Sequence, residues 1–237
     1  SHAGIQLRFP PGSTPNLSLI LGGTGARLED LVGAFAALNR DGIAGRVRYT
    51  GDEPMIERRL ASPGASWIVR EMLESNPRPG YGIGTFDVGG RPRVAWKTGT
   101  SYGYRDAWAI GSTRHYTVGV WVGRPDGTPL PGQYGAVTAL PLMFEVVDSL
   151  PRQRGDSAAA PMPASVSQED ICWPTGERAE GLPAALCQRR MPAYLLDGAA
   201  PPTFPEREAR RWQPGRQRYL ADASSGLRVS ADCRSPH

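Results

Sequence analysis

Lysine is nearly missing from this chain of 237 residues: of its 27 basic side chains, all but Lys97 are arginine. A chain that writes arginine wherever a surface cation will do has kept one ammonium, so position 97 calls for something a planar, permanently charged guanidinium cannot give. Cysteine is sparse too, with Cys172, Cys187 and Cys233 all in the last third, and histidine occurs three times. No cysteine pair has the spacing of a metal knuckle, which argues against zinc. No run of about 18 apolar residues occurs, so no helical membrane span is expected. One-sided charge is also lacking. The net charge of +4 is spread as 15 basic and 13 acidic residues up to position 150, then 12 and 10 beyond it. The densest cluster (Arg207, Arg210, Arg211, Arg216, Arg218) is interrupted by Glu206 and Glu208, and a phosphate-tracking surface would be more uniform, so no nucleic-acid partner is expected. The chain opens on Ser1 without a leader, as expected of a piece whose anchor lies upstream.

What is present points to a turn-rich fold with a real core. Hydrophobic residues make up 40%, beside 29 Gly and 23 Pro. The stretch RLEDLVGAFAALNRDG repeats apolar residues at Leu28, Leu31, Val32, Phe35 and Leu38 and stops at Gly42, a helical stripe. SPGASWIVREMLES offers Ser62 as N-cap and Pro63 at the first helical position, with Ala65, Ile68, Val69, Met72 and Leu73 expected to face the core. RPRVAWKTGTS, DAWAIG and HYTVGVWVG read as three antiparallel strands, the last with Tyr116, Val118, Val120 and Val122 on one face. AVTALPLMFEVVDSL reads as a helix with Pro141 near its start or kinking it. The class is therefore α/β (α+β): an antiparallel sheet with packed helices over residues 1–150, a Pro/Ala/Ser linker over 151–164, and a Pro/Gly/Arg-rich irregular region over 165–237.

GGTGARLED lacks the strand–turn–helix unit of a dinucleotide loop and the Gly-Lys-Ser/Thr of a phosphate loop, and reads as a Gly-rich entry to a scaffold helix. His115 sits mid-hairpin in a strand and reads as a surface or packing residue rather than a member of a Ser-His-Asp triad. Trp96, Trp108, Tyr116 and Trp121 at strand positions read as core. A Cys172–Cys187 disulfide would close a loop of about 16 residues and contribute roughly 3 kcal/mol. It is favoured over buried free thiols if the compartment is oxidising.

Lys97-Thr98-Gly99 is one of the motifs of penicillin-binding proteins and serine β-lactamases. The longer run WKTGTSYGYRDAWAIG, with LSLILGGTGARLEDLVGAFAALNRDG before it and ICWPTGE after it, resembles the penicillin-binding protein 1C family. These are bifunctional peptidoglycan synthases of Gram-negative bacteria. The resemblance implies the serine β-lactamase/penicillin-binding transpeptidase fold, here incomplete. It further implies a D,D-transpeptidase acting on D-Ala-D-Ala stem peptides through a serine acyl-enzyme, in a parent that is also a glycosyltransferase. Lys97 and Thr100 would be catalytic, the first as a compact cation near the nucleophile, the second through a backbone N–H in the oxyanion hole. Thr98 and Gly99 would receive substrate, with Ser101 assisting. Implied partners are stem peptides, the lipid-linked precursor and β-lactams. No cofactor or metal is implied, and the place is the periplasmic face of the inner membrane, reached through an upstream anchor.

The departures matter as much. A Ser-x-x-Lys motif needs a second lysine, and Ser75-Asn76 lacks the spacing of Ser-x-Asn, so nucleophile and activating lysine are expected upstream and the chain alone is expected to be inactive. A non-catalytic cell-wall binding or scaffold protein of the same fold is the alternative, and a soluble β-lactamase is a third, disfavoured by the extra C-terminal region.

Overall fold

The computed structural model describes residues 5–9, 12, 14, 17–79, 90–173, 176–181, 187 and 189–199. The chain divides into two compact units, Ser1–Met162 and Pro163–His237.

In the first unit a 3-10 turn (Leu17–Leu21) leads to α1 (Leu28–Ala36), extended by a 3-10 turn (Ala37–Asn39). Glu29 and Asp30 in its first turn complement the helix dipole, and Gly42, with φ of +82°, turns the chain out of it. A short antiparallel hairpin follows, β1 (Ile43–Gly45) with β2 (Glu57–Arg59). Then comes α2 (Pro63–Glu74), whose Ser62 side chain accepts the Ala65 N–H at 3.2 Å with Pro63 in the first turn. Three strands, β3 (Ala95–Thr100), β4 (Asp106–Ser112) and β5 (Thr117–Gly123), form an antiparallel sheet in the order β3-β4-β5. α3 (Ala139–Ser149) closes the unit, with Pro141 in its first turn, where a missing N–H removes no helical bond.

Strand alternation gives the sheet two different faces. On one, Ala107, Ala109 and Val120 meet Ala139, Leu140, Met143, Phe144 and Val147 of α3, and Trp96 meets Phe144 edge-on at 6.0 Å. This is the main core. Truncating Met143, fully buried, to alanine would cost about 2–5 kcal/mol. On the other face α1 covers the sheet at Gly119, where any Cβ would overlap Leu28 and Val32.

The expected inward face of α2 needs correction. Val69 and Met72 are 45% and 59% exposed, whereas Ser66, Arg70 and Glu74 are buried. The reason is an ion network. Glu74 accepts Arg70 Nε at 2.6 Å and Arg93 Nε at 2.7 Å, and Arg93 also reaches Glu71 at 3.3 Å. A carboxylate held by two guanidinium groups can be buried, and it turns the polar side of α2 inward.

After α3 the residues read as linker lie along the same unit. The Arg93 N–H donates to Asp156 O at 2.9 Å, Gln153 Nε2 to the Tyr116 hydroxyl at 2.9 Å, and Trp67 Nε1 to Ala160 O at 3.0 Å. His115 lies in the turn between β4 and β5, not within a strand, with Nε2 3.6 Å from Asp156 Oδ1.

The second unit holds an antiparallel pair, β6 (Val166–Cys172) and β7 (Arg190–Leu196), running from Val166↔Leu196 to Cys172↔Arg190. This regular hairpin differs from the irregular region expected. Its strands are joined by 17 residues (173–189) instead of a short turn, so no local signal marks them as partners. A Cys172–Cys187 disulfide ties that connection to the end of β6, and both cysteines pack with Ala179 in a small buried cluster. Cys233 and the Arg207–Arg218 cluster lie outside the described residues.

Candidate functional site

The Lys-Thr-Gly run forms half of β3, an edge strand of its sheet. Two bonds fix which way its backbone groups point. Ser101 N–H donates to Asp106 O at 3.0 Å on the β3–β4 side, and Thr113 N–H to Tyr116 O at 2.8 Å on the β4–β5 side. In an antiparallel ladder the bonded pairs alternate. The register Lys97↔Ile110, Gly99↔Trp108 therefore places Ala95, Lys97 and Gly99 in the pairs bonded to β4. The N–H and C=O groups of Trp96, Thr98 and Thr100 face the outer edge. Among the described residues no strand pairs with that edge. The Thr100 N–H is thus an outward donor, and the Thr98 carbonyl is an outward acceptor that takes the exposed Lys97 ammonium at 2.6 Å.

Side chains divide by the same alternation. Lys97 and Gly99 stand on the face that carries α1. Thr98 and Thr100 leave β3 on the α3 face, where the Thr100 hydroxyl accepts the Gly135 N–H at 3.1 Å and keeps its own hydrogen to donate. Gly135 seals that side of the strand closely. A Cβ there would lie 2.6 Å from the carbonyl oxygens of Gly99 and Trp108 and 3.1 Å from Thr98 Cβ, so only glycine fits. Gly99 is the opposite case. A Cβ added to it would meet Trp108 Cβ at 3.6 Å, an ordinary contact, so nothing in the packing demands its bareness. The Ser101 hydroxyl accepts the Asp106 N–H at 2.9 Å and braces the turn from β3 to β4, a turn with Gly103 and Tyr104 at positive φ and Tyr102 almost fully exposed.

Beside Gly99 lies an aromatic pair that sequence reasoning assigned to the core. Trp108 faces Trp121 across β4 and β5 with ring centroids 6.3 Å apart. Trp121 is 37% exposed, and its Nε1–H donates to Asp106 Oδ1 at 2.8 Å. Trp108 is half-buried. The alternation in DAWAIG and VGVWVG was visible in the sequence, but which face shares Lys97 depends on register. Gly135 gave no sequence signal at all, since it sits in a loop.

A separate groove lies elsewhere. About 500 Å³ lies between α1 and the β1–β2 hairpin, lined by Arg27, Asp30, Gly33, Arg46, Tyr49 and Arg58 among others, with none of the Lys-Thr-Gly residues. The Tyr49 hydroxyl donates to Glu29 there, which raises the tyrosine above its usual 10. Among the described residues no three His, Cys, Asp or Glu side chains converge on a metal-sized site.

Residues 165–195 match the penicillin-binding protein 1C linker domain, and residues 210–237 match the second linker domain of penicillin-binding protein 1C. Penicillin-binding protein 1C of Escherichia coli is 45% identical over 241 residues, covering 98% of this chain and 30% of the relative. Penicillin-binding protein 1A of Mycolicibacterium smegmatis is 30% identical over 164 residues, covering 56% of this chain and 20% of its own. The chain thus spans under a third of the length of these relatives. The crystal structure of penicillin-binding protein 1A from Haemophilus influenzae superposes with a TM-score of 0.56 at 16% identity, over 78% of this chain and 34% of that one, so the mixed helix-and-antiparallel-sheet fold is shared. The chain belongs to the penicillin-binding protein 1C family.

Proposed function

We propose that this chain supplies the substrate-binding wall of a peptidoglycan D,D-transpeptidase that cross-links D-Ala-D-Ala stem peptides through a serine acyl-enzyme on the periplasmic face of the inner membrane, within a parent that is also a glycosyltransferase. The observation that carries the reading is the outer edge of β3. Thr98 and Thr100 turn their backbone groups to an edge that no strand pairs with among the described residues, Lys97 places its ammonium on the Thr98 carbonyl there, and Gly99 leaves the strand bare between them. An extended peptide can pair with such an edge.

In this role the Thr100 N–H is one of the donors that hold the developing oxyanion, and Lys97 supplies a compact positive charge that tunes proton transfer at the serine. The Thr100 hydroxyl, oriented by Gly135, keeps a proton to give to substrate. Serine, activating lysine and the remaining donors would come from sequence beyond this chain, because Lys97 is its sole lysine.

Labelling with fluorescent penicillin tests this. The full-length protein should be acylated stoichiometrically, and Lys97→Arg should slow acylation by orders of magnitude, since one electrostatic contact at the reacting centre is worth about 2.7–4 kcal/mol. The 237-residue chain alone should label no more than a heat-denatured control. A rate for Lys97→Arg within about threefold of wild type, below 1 kcal/mol, would remove the role given to Lys97, and stoichiometric labelling of the isolated chain would show the nucleophile to be within it.

A further inference from the structure

We propose that the groove between α1 and the β1–β2 hairpin docks an acidic peptide segment of a partner protein, with Arg46 and Arg58 as its anchors. In the hairpin Ala44 stands opposite Arg58, and the Arg46 N–H donates to Ile56 O at 2.9 Å, which sets Arg46 opposite Ile56. Cross-strand partners, and residues two apart on one strand, share a face. Ala44, Arg46, Ile56 and Arg58 therefore stand together, and all four line the groove. The two arginines occupy one diagonal of this group, their Cβ atoms about 7 Å apart, with Ala44 and Ile56 on the other. Nearby arginines are taken up within the protein: Arg40 pairs with Glu57, Arg48 donates to Glu53 O at 3.2 Å, and Arg59 donates to Asp41 O at 2.8 Å. Arg46 and Arg58 are exposed, and neither guanidinium has an ion-pair or hydrogen-bond partner among the described residues.

The acids that line the same groove are already engaged. Glu29 holds the Tyr49 hydroxyl and Arg27, Asp30 takes the Gln6 N–H at 3.2 Å, and Glu53 takes the N–H groups of Tyr49 and Thr50. The charge left for a ligand is that of the two arginines. The floor between the walls is close-packed, with Gly45 O 3.1 Å from where a Gly33 Cβ would stand. Side chains two apart on an extended peptide point the same way and lie about 6.8 Å from each other, close to the separation of the arginines. A segment with carboxylates at positions i and i+2 gives one to each guanidinium in charge-assisted hydrogen bonds, while its backbone passes over Ala44 and Ile56. Glu29 and Asp30 on the α1 wall repel a third acid, so the intervening residue is uncharged or basic. A volume of about 500 Å³ suits a short segment rather than a folded surface.

The test uses the full-length protein and fluorescein-labelled peptides, with binding read by fluorescence anisotropy. Ala-Glu-Ala-Glu-Ala should bind about tenfold or more tighter than Ala-Gln-Ala-Gln-Ala. It should also bind about threefold or more tighter than Ala-Glu-Glu-Ala-Ala, whose adjacent carboxylates point to opposite sides. Arg46→Gln and Arg58→Gln should each weaken the first peptide by about tenfold. Both should leave the melting temperature within about 2 °C of wild type, because neither side chain has a partner to lose. The double variant Arg46→Glu with Arg58→Glu should lose that peptide and bind Ala-Lys-Ala-Lys-Ala instead, a reversal that a purely structural role would not give. Penicillin acylation should be unchanged in all three variants, which separates this groove from the β3 edge. Glutamyl and glutaminyl peptides bound within about threefold of each other, or unchanged binding in both glutamine variants, overturn the proposal. Displacement of the glutamyl peptide by an equal concentration of inorganic phosphate would reduce the groove to a simple anion site and overturn the peptide partner. A melting temperature lowered by more than about 5 °C in either glutamine variant would assign the arginines to the fold.

Discussion

Gly99 has room for a methyl group that it does not carry. A Cβ there meets Trp108 at 3.6 Å and the residue does not adopt a positive φ, so alanine satisfies both sterics and backbone. Glycine inside a strand forgoes about 0.5–1 kcal/mol relative to alanine. Gly99→Ala should therefore leave the melting temperature of the protein unchanged or raise it by a few degrees. The same substitution should slow penicillin acylation of the full-length protein by about tenfold or more if the bare strand serves substrate, as one misplaced contact at a positioned site costs. A melting temperature lowered by more than about 5 °C would mean that the glycine serves the fold. Gly135 offers the control. Its Cβ would strike two carbonyl oxygens at 2.6 Å, so Gly135→Ala should be destabilising.

At the scale of elements, α2 shows how an ion network can override an apolar pattern. Its buried side is anchored by Glu74, 3% exposed, between Arg70 and Arg93. Replacing Glu74 by alanine leaves two guanidinium groups without their shared carboxylate, and breaking a buried pair costs about 3–5 kcal/mol. Met72→Ala on the exposed side should cost no more than about 0.5 kcal/mol. Urea denaturation of the two variants measures the contrast. Equal losses would show that α2 buries its apolar face and that the network is incidental. β3 carries a related lesson: its strand character was plain from RVAWKTGT, yet the direction of each amide came from its pairing with β4.

For the molecule as a whole, the covalent tie in the second unit is the feature most open to solution measurement. Cys172 and Cys187 are joined and buried, while Cys233 is the remaining cysteine of the chain. In material prepared from an oxidising compartment, thiol titration under denaturing, non-reducing conditions should find one reactive thiol per chain, and three after reduction. Three without reduction would reject the pairing. The tie closes a 15-residue separation, so its reduction should destabilise the second unit by about 3 kcal/mol. That is a large share for a hairpin whose buried cluster is Cys172, Ala179 and Cys187.

The sequence by itself determined the elements whose causes are local: the α1 stripe ended by Gly42, the Ser62-Pro63 start of α2, the three strands around Lys97 and the first-turn proline of α3. Periodicity, caps and turn residues act within a few positions, so they can be read from the chain alone. It also carried the resemblance to the family, through the Lys-Thr-Gly run and its flanks. Tertiary structure decided the rest. Only the register of β3, β4 and β5 put Trp108 and Trp121 on the Lys97 face. Only the folding of the 124–138 loop brought Gly135 onto Thr100. Only Arg93, 19 residues beyond Glu74, turned the polar side of α2 inward. Each of these depends on contacts between residues far apart in the chain, where burial and pairing energies outweigh the local pattern that precedes them.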